Sequence, residues 1–261
     1  MSIDLNDPTV DEKLRRAFVE GWCESSPAGY DSLRAILADA ESPHEEQRLP
    51  PAALREVIAC GISDEGVQEL FRDLLVSPQR NGIAAWLRVA LHGDDADACA
   101  GAASICLLSA ELRGEFLVDL AAATNSPSWA ARREVLEVLA ADQSGDERIK
   151  SLVDHALAVQ PPDVAIAVAS QRYRDGDRRP AIVELIVRGL RSPDPDVCGC
   201  GCFAIAQHAD PIIPVAELFE IMRRPDLHVA QPMFVLHHLQ ARRDPEATRL
   251  AVLDLESDRY E

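Results

Sequence analysis

Aromatic residues are scarce in this chain, at 5% of its 261 positions. No sustained stretch alternates apolar with polar residues, the pattern from which sandwiches and barrels are built. These two absences argue against an all-β fold. No apolar run approaches the roughly 18 residues that a membrane-spanning helix needs, so no membrane partner is expected. Positive charge is also short: 26 basic side chains stand against 44 acidic ones, a net charge of −18. Phosphate backbones are bound mainly through lysine and arginine. A field of the opposite sign repels nucleic acid and anionic lipid at long range, so no nucleic-acid partner is expected either. The sequence also lacks a Gly-rich phosphate loop ending in Lys and Ser or Thr, a His-Glu-x-x-His zinc helix and a Gly-x-Ser-x-Gly nucleophile turn. The expectation is therefore a protein that is not an enzyme and carries no cofactor.

Cysteine is present seven times, as Cys23, Cys60, Cys99, Cys106, Cys198, Cys200 and Cys202. The number is odd and the spacing outlines no disulfide frame. Residues 1–13 are polar and acidic, unlike a secretory signal. A reducing, cytoplasmic location with free thiols is expected.

What the chain does have is a repeat. Hydrophobic residues make up 47%, mostly Ala, Leu and Val, and Ala and Leu are strong helix formers. Segments starting at Ser126, Gln160, Ser192 and Pro225 each open on Pro, usually with Asp, and run into a helical apolar pattern. Pro is tolerated at a helix start because its missing N–H would be unpaired there. Asp or Ser at the same place caps the exposed amides. Ala131, Val164, Val197 and Val229 anchor the four segments. Their spacing is nearly constant, a period of about 33 residues typical of helical-repeat arrays. At one fixed distance beyond each anchor stands a Leu: Leu152, Leu185, Leu218 and Leu250. Ile149, Ile182, Val215 and Ala247 precede these by three; Val153, Ile186, Phe219 and Ala251 follow by one. Residues at i, i+3 and i+4 share one helix face, so each unit carries the same apolar stripe on a second helix. Upstream, Cys99 pairs with Leu120, and Leu33 with Leu54, at the same separation, while Val67 and Leu87 fall one short.

A unit of this size cannot bury its apolar face alone, and stacking supplies a continuous core. The predicted fold is all-α: a right-handed α-α superhelix, or solenoid, of about seven two-helix repeats, in one domain over 1–261. Residues 1–62 form a less regular N-terminal cap, and 63–258 the regular repeats of about 32–33 residues. The polar stretch 41–51 reads as a loop inside a repeat or as a linker after a helical arm.

The segment Ser192-Pro-Asp-Pro-Asp-Val197, followed by a helix of small residues, resembles the start of a short HEAT repeat, an armadillo-like family. Arg132 after Ala131 fits the basic position of that pattern; Ala165, Cys198 and Ala230 depart from it. The tetratricopeptide pattern fits less well, because its aromatic and Gly landmarks do not recur. The resemblance implies an architecture. Proteins of this kind serve as scaffolds, transport adaptors, inhibitors and occasionally enzymes. One similar class, an iron-dependent hydroxylase of a modified lysine, uses several His-Glu pairs, and here only His44-Glu45 is such a pair. Another class, which removes damaged DNA bases, needs a basic groove that a chain of this charge does not supply.

Cys198, Cys200 and Cys202, with His208, His237 or His238, are the candidate metal ligands, since thiolates bind zinc and Cu(I) well. On a helix only Cys198 and Cys202 share a face, and free Cys also serves as a small hydrophobe where helices approach closely; packing is the simpler reading, and no bound metal is expected. One of His237 and His238 is expected in the core and the other in solvent. Opposite the stripe on the second helices lie Asp119, Asp154, Glu184, Glu217 and Glu220, a negative ladder suited to a basic protein partner. Trp86, Trp129 and Tyr173 are candidate anchors beside it. The functional expectation is a non-enzymatic protein-binding solenoid, an adaptor or an immunity-type inhibitor of a basic partner. The alternative is an enzyme on the same scaffold, a metal-dependent hydroxylase or a cofactor lyase.

Overall fold

A computed structural model describes residues 7–22, 27–39, 52–78, 80–206, 208–228, 230–243, 245 and 249. Among them there are fifteen α-helices, one 3-10 turn (Cys60–Ile62) and no strand. The helices are α1 (Pro8–Trp22), α2 (Pro27–Ala38), α3 (Ala52–Ala59), α4 (Glu65–Val76), α5 (Arg80–Leu91), α6 (Ala96–Cys106), α7 (Ala110–Glu115) and α8 (Leu117–Ala123). They continue with α9 (Trp129–Ala140), α10 (Glu147–Val159), α11 (Pro162–Arg174), α12 (Pro180–Leu190), α13 (Pro195–Ile205), α14 (Val215–Met222) and α15 (Ala230–Arg242). The expected all-α class is what the chain adopts. Residues 41–51, with the His44-Glu45 pair, lie outside the described residues, as do Cys23, Val229, Ala247, Leu250 and Ala251.

The chain divides into two compact units, Met1–Leu152 and Val153–Glu261, with the boundary inside α10. In the first, the starts of helices are written in side-chain caps. Asp64, Asp95, Ser109 and Ser128 accept from the amides of Val67, Ala98, Leu112 and Ala131, and each such cap contributes about 1 kcal/mol. Helix α6 packs on α3, α5 and α9. It buries residues on every side, from Ala98 to Ala103 without a break, as a helix apolar all round must. Gly101 allows this: a Cβ there would stand 1.9 Å from the carbonyl oxygen of Ile58 on α3.

In the second unit, Pro162, Pro180 and Pro195 open α11, α12 and α13. Asp194 caps α13 through the amides of Asp196 and Val197. Helix α11 packs on α12 and α13, and α13 on α12 and α15. Tyr173, Ile182, Ile186, Leu190, Cys198, Cys202, Leu218, Phe219 and Val235 belong to one core there.

Helices α6, α9, α11, α13 and α15 begin at Ala96, Trp129, Pro162, Pro195 and Ala230. The step read from the sequence is thus present in the helix starts: the first three intervals are equal. The stripe on the second helices needs a correction of register. In α10 and α12, Ile149 with Val153 and Ile182 with Ile186 are all at most 1% exposed. Leu152 and Leu185 are only half-buried, while Leu120 and Leu218 are fully buried. A stripe centred on an i, i+4 pair puts the neighbouring Leu about 100° round the helix, on the flank of the core. Likewise Val197 is half-buried and Cys198 beside it is buried.

Candidate interaction surface

Four of the five carboxylates of the ladder do not stand as free charges. Asp119, on α8 of the first unit, takes Arg88 Nε at 3.3 Å and His92 Nε2 at 3.0 Å. Arg88 continues to Glu115 at 3.3 Å, and Glu115 is held in turn by Arg80, so one chain of charges ties α5 to α7 and α8. In the second unit, Asp154 on α10 pairs with Arg179 at 2.9 Å. Glu217 on α14 takes two bonds from Arg191, at 2.6 and 3.1 Å. That grip holds its carboxyl below the usual range, against a smaller opposing effect of burial. Glu220 pairs with Arg223 one turn away at 3.0 Å. Glu184 on α12 is exposed and makes no ion pair among the described residues. Exposed pairs of this kind contribute only about 0–1 kcal/mol each, which leaves them open to exchange with a competing cation.

The acidity is also unevenly placed. Residues 1–152 hold 27 acidic and 14 basic side chains; residues 153–261 hold 17 and 12. Between Val153 and Arg243, 11 carboxylates face 10 arginines. Four of the five ladder residues thus lie in the less acidic unit. Counting charge along the chain, rather than over all of it, carries this signal.

Of the candidate aromatic anchors, Trp86 and Tyr173 are core, at 2% and 0% exposure, and Trp129 remains 43% exposed with Arg133 over its ring at 5.6 Å. The Tyr173 hydroxyl donates to Asp210 Oδ2 at 2.9 Å, and Arg178 donates to the same oxygen at 2.7 Å while lying 3.7 Å above the Tyr173 ring. Burial and that hydrogen bond push the Tyr173 hydroxyl far above the ordinary tyrosine range, so it is a packing clamp. An apolar surface lies in the first unit. Leu117, Val118, Ala121, Ser151 and Leu152 line a groove between α8 and α10, flanked by Glu147 and Arg148. Val118 there is 79% exposed.

The cysteine-rich helix is a packing device at several positions. Cys198 and Cys202, one helical turn apart, are fully buried. Cys198 Sγ donates to the Leu190 carbonyl at 3.4 Å. The neighbouring Cys202 thiol, against burial, brings the Cys198 thiol below its ordinary value, with the Arg224 guanidinium helping. Gly201 faces α12: a Cβ there would stand 2.7 Å from the Leu190 amide nitrogen. Cys99 repeats the arrangement in the first unit, its Sγ donating to the Ala90 carbonyl at 3.1 Å, and burial pushes its thiol up to about 12. His238 is buried and His237 exposed, as expected of the pair. His208 lies edge-on to Tyr173, with ring centres 5.3 Å apart. Among the described residues, no three or more His, Cys, Asp or Glu side chains are grouped to hold a metal ion, and no helix is long and apolar enough to cross a membrane.

A comparison of the chain with protein-family models, with curated proteins and with solved structures finds no match.

Proposed function

We propose that this chain is a HEAT-like helical-repeat protein, a right-handed α-α superhelix, that binds a basic protein partner and acts as an adaptor or an inhibitor of it. The regular recurrence of helix starts supports the repeat architecture. One observation carries the binding reading. Asp154, Glu184 and the pair Glu217 and Glu220 sit on α10, α12 and α14, the successive second helices of one unit. Glu184 is exposed and unpaired among the described residues, and the others are held only by arginines that are themselves a third or more exposed. A lysine-rich or arginine-rich partner can take over such carboxylates at little cost, because a surface pair is weak to begin with. The net charge of −18 assists its approach.

The experiment is affinity capture of the tagged full-length protein at low and high salt, beside a Glu184→Lys/Glu217→Lys/Glu220→Lys variant. A stoichiometric basic partner, lost at high salt and lost by the variant, is the expected result. A partner that the variant retains removes the acidic row from the reading. Capture of no stoichiometric partner removes the reading itself.

A further inference from the structure

The second unit carries a different surface on its first helices, and the case for it does not depend on the acidic row. Phe203 on α13 is 39% exposed and Met233 on α15 is 48% exposed. The Phe203 ring meets that of Phe234 edge-on, with centres 5.3 Å apart. Arg174, at the end of α11, lays its guanidinium 4.0 Å above the Phe203 ring. Three consecutive first helices thus contribute to one group, the Phe203 and Phe234 rings and the Arg174 guanidinium. Aromatics, Met and Arg are the residue types enriched in protein interfaces, and Trp, Tyr and Arg anchors dominate binding energy there. The bland alternative is that these are scattered surface apolar residues, which are ordinary singly. The ring contact and the stacked arginine make this a group.

Charge says what the patch would take. Arg172, Arg178, Arg179, Arg191, Arg223 and Arg224 each hold a carboxylate. Arg174 does not: among the described residues its side chain donates only to Gln171 Oε1, at 3.3 Å. Among the described residues this guanidinium meets no carboxylate. A guanidinium stacked on a ring keeps its in-plane donors free and already oriented, and a carboxylate matches them bidentately. A lysine in the carboxylate's position would face the like charge of Arg174.

We propose that the α11–α13–α15 face is a docking site for a protein segment that presents an apolar side chain beside a carboxylate, the first seated on Phe203 and Phe234 and the second on Arg174. Together with a basic partner on the second helices, this would let one unit join two proteins of opposite charge.

The test uses the full-length protein and two labelled helical peptides. One has leucines on one face and glutamates on the other; its counterpart has lysines in place of the glutamates. Binding is read by fluorescence anisotropy, and the helix content and melting of each variant are checked alongside. The glutamate peptide is expected to bind, the lysine peptide to bind at least about tenfold more weakly, and Arg174→Gln and Phe203→Ala each to weaken the glutamate peptide by about tenfold or more. Phe203→Leu, which keeps an apolar side chain, guards against a folding defect and is expected to lose less. The Glu184→Lys/Glu217→Lys variant is expected to bind the glutamate peptide at least as well as the unaltered protein, so failure here is separable from failure of the basic-partner reading. Equal binding of the two peptides, no binding of the glutamate peptide, or unchanged affinity in Arg174→Gln overturns the proposal. Self-association abolished by Phe203→Ala does so too, because a second copy would then be the occupant.

Discussion

Arg191 grips Glu217 with two nitrogens, one on each carboxylate oxygen, and so ties the turn after α12 to α14. The bond has two consequences that pull apart. It adds a little stability, and it withholds Glu217 from any other cation. The Arg191 side chain is more than half exposed, so solvent screens the pair. Arg191→Ala is therefore expected to cost less than about 1 kcal/mol. The same change is expected to tighten binding of a basic partner by freeing the carboxylate. The pH dependence has a definite sign. The carboxyl is lowered in the folded protein, so its contribution is present above the unfolded value of about 4.3 and is lost as pH falls through the folded one. The stability gap between the two proteins, from urea titrations, should therefore close at acid pH. Weaker partner binding by Arg191→Ala would count against Glu217 as a contact.

The corrected register makes its own prediction. Ile186 is 0% exposed and sits inside the core of the second unit, while Leu185 packs on the edge of that core. Ile186→Ala is expected to cost about 2–5 kcal/mol by lost burial and a cavity, and Leu185→Ala clearly less. Ile186→Arg should abolish cooperative folding of the unit, because it buries an unpaired charge. Leu185→Arg should be tolerated better, because its stem can lie on the flank while the charge reaches water. Denaturation curves of the four variants decide the matter. The reverse order would restore the repeated Leu as the centre of the stripe.

That difference shows what the sequence could carry. The helices, their Pro and Asp starts and the regular step between them follow from local chemistry, so they are legible one segment at a time. The neighbour that each residue meets is not local. Leu152, Leu185, Leu218 and Leu120 look identical in the repeat, yet two are half-buried and two fully buried, because each helix turns differently against its neighbours. The same limit applies to the surface. Asp119, Asp154, Glu217 and Glu220 line up by spacing, but nothing in spacing says that Arg88, Arg179, Arg191 and Arg223 close on them. Phe203 and Arg174 are far apart in sequence, and their stacking depends on how α11 meets α13.

Packing of the cysteine-rich helix can be tested at its glycines. A Cβ on Gly201 would meet the Leu190 amide nitrogen at 2.7 Å and the Gly189 carbonyl carbon at 3.1 Å. Both are backbone atoms and cannot swing aside. Gly201→Ala is therefore expected to destabilise by about 1–3 kcal/mol through overpacking, although Ala is the better helix former. Gly101→Ala should be at least as damaging, with the Ile58 oxygen at 1.9 Å. At Gly145 a Cβ would meet nothing within 4 Å, but φ is +76°. Its replacement by Asn, which tolerates that conformation, should cost less. Thermal melts of the three variants check the order. A stabilised Gly201→Ala protein would mean that α12 and α13 do not approach as closely as described.

His238 gives the molecule an acid-sensitive point. Its Nδ1 faces the carbonyl oxygens of Ile205 and His208, so it carries the proton and donates. Its Nε2 is buried and has no hydrogen-bond partner among the described residues. Protonating Nε2 would place a charge in the core of the second unit, and burial accordingly lowers the ring's pKa. Arg242 works in the same direction, while the two carbonyls and Asp210 oppose it. His208 is lowered as well, by burial and by Arg178. A histidine depressed in the folded state stabilises fully above its unfolded value of about 6.5, and that contribution is lost as pH falls through the folded value. Urea midpoints should therefore fall between neutral pH and about pH 5. His238→Leu is expected to lower stability at neutral pH by losing the bonds to the carbonyls, and to flatten the acid slope. Some slope should remain from His208 and disappear in the double variant with His208→Leu. An acid slope identical in the unaltered protein and in His238→Leu would show that the buried ring is not what the acid acts on.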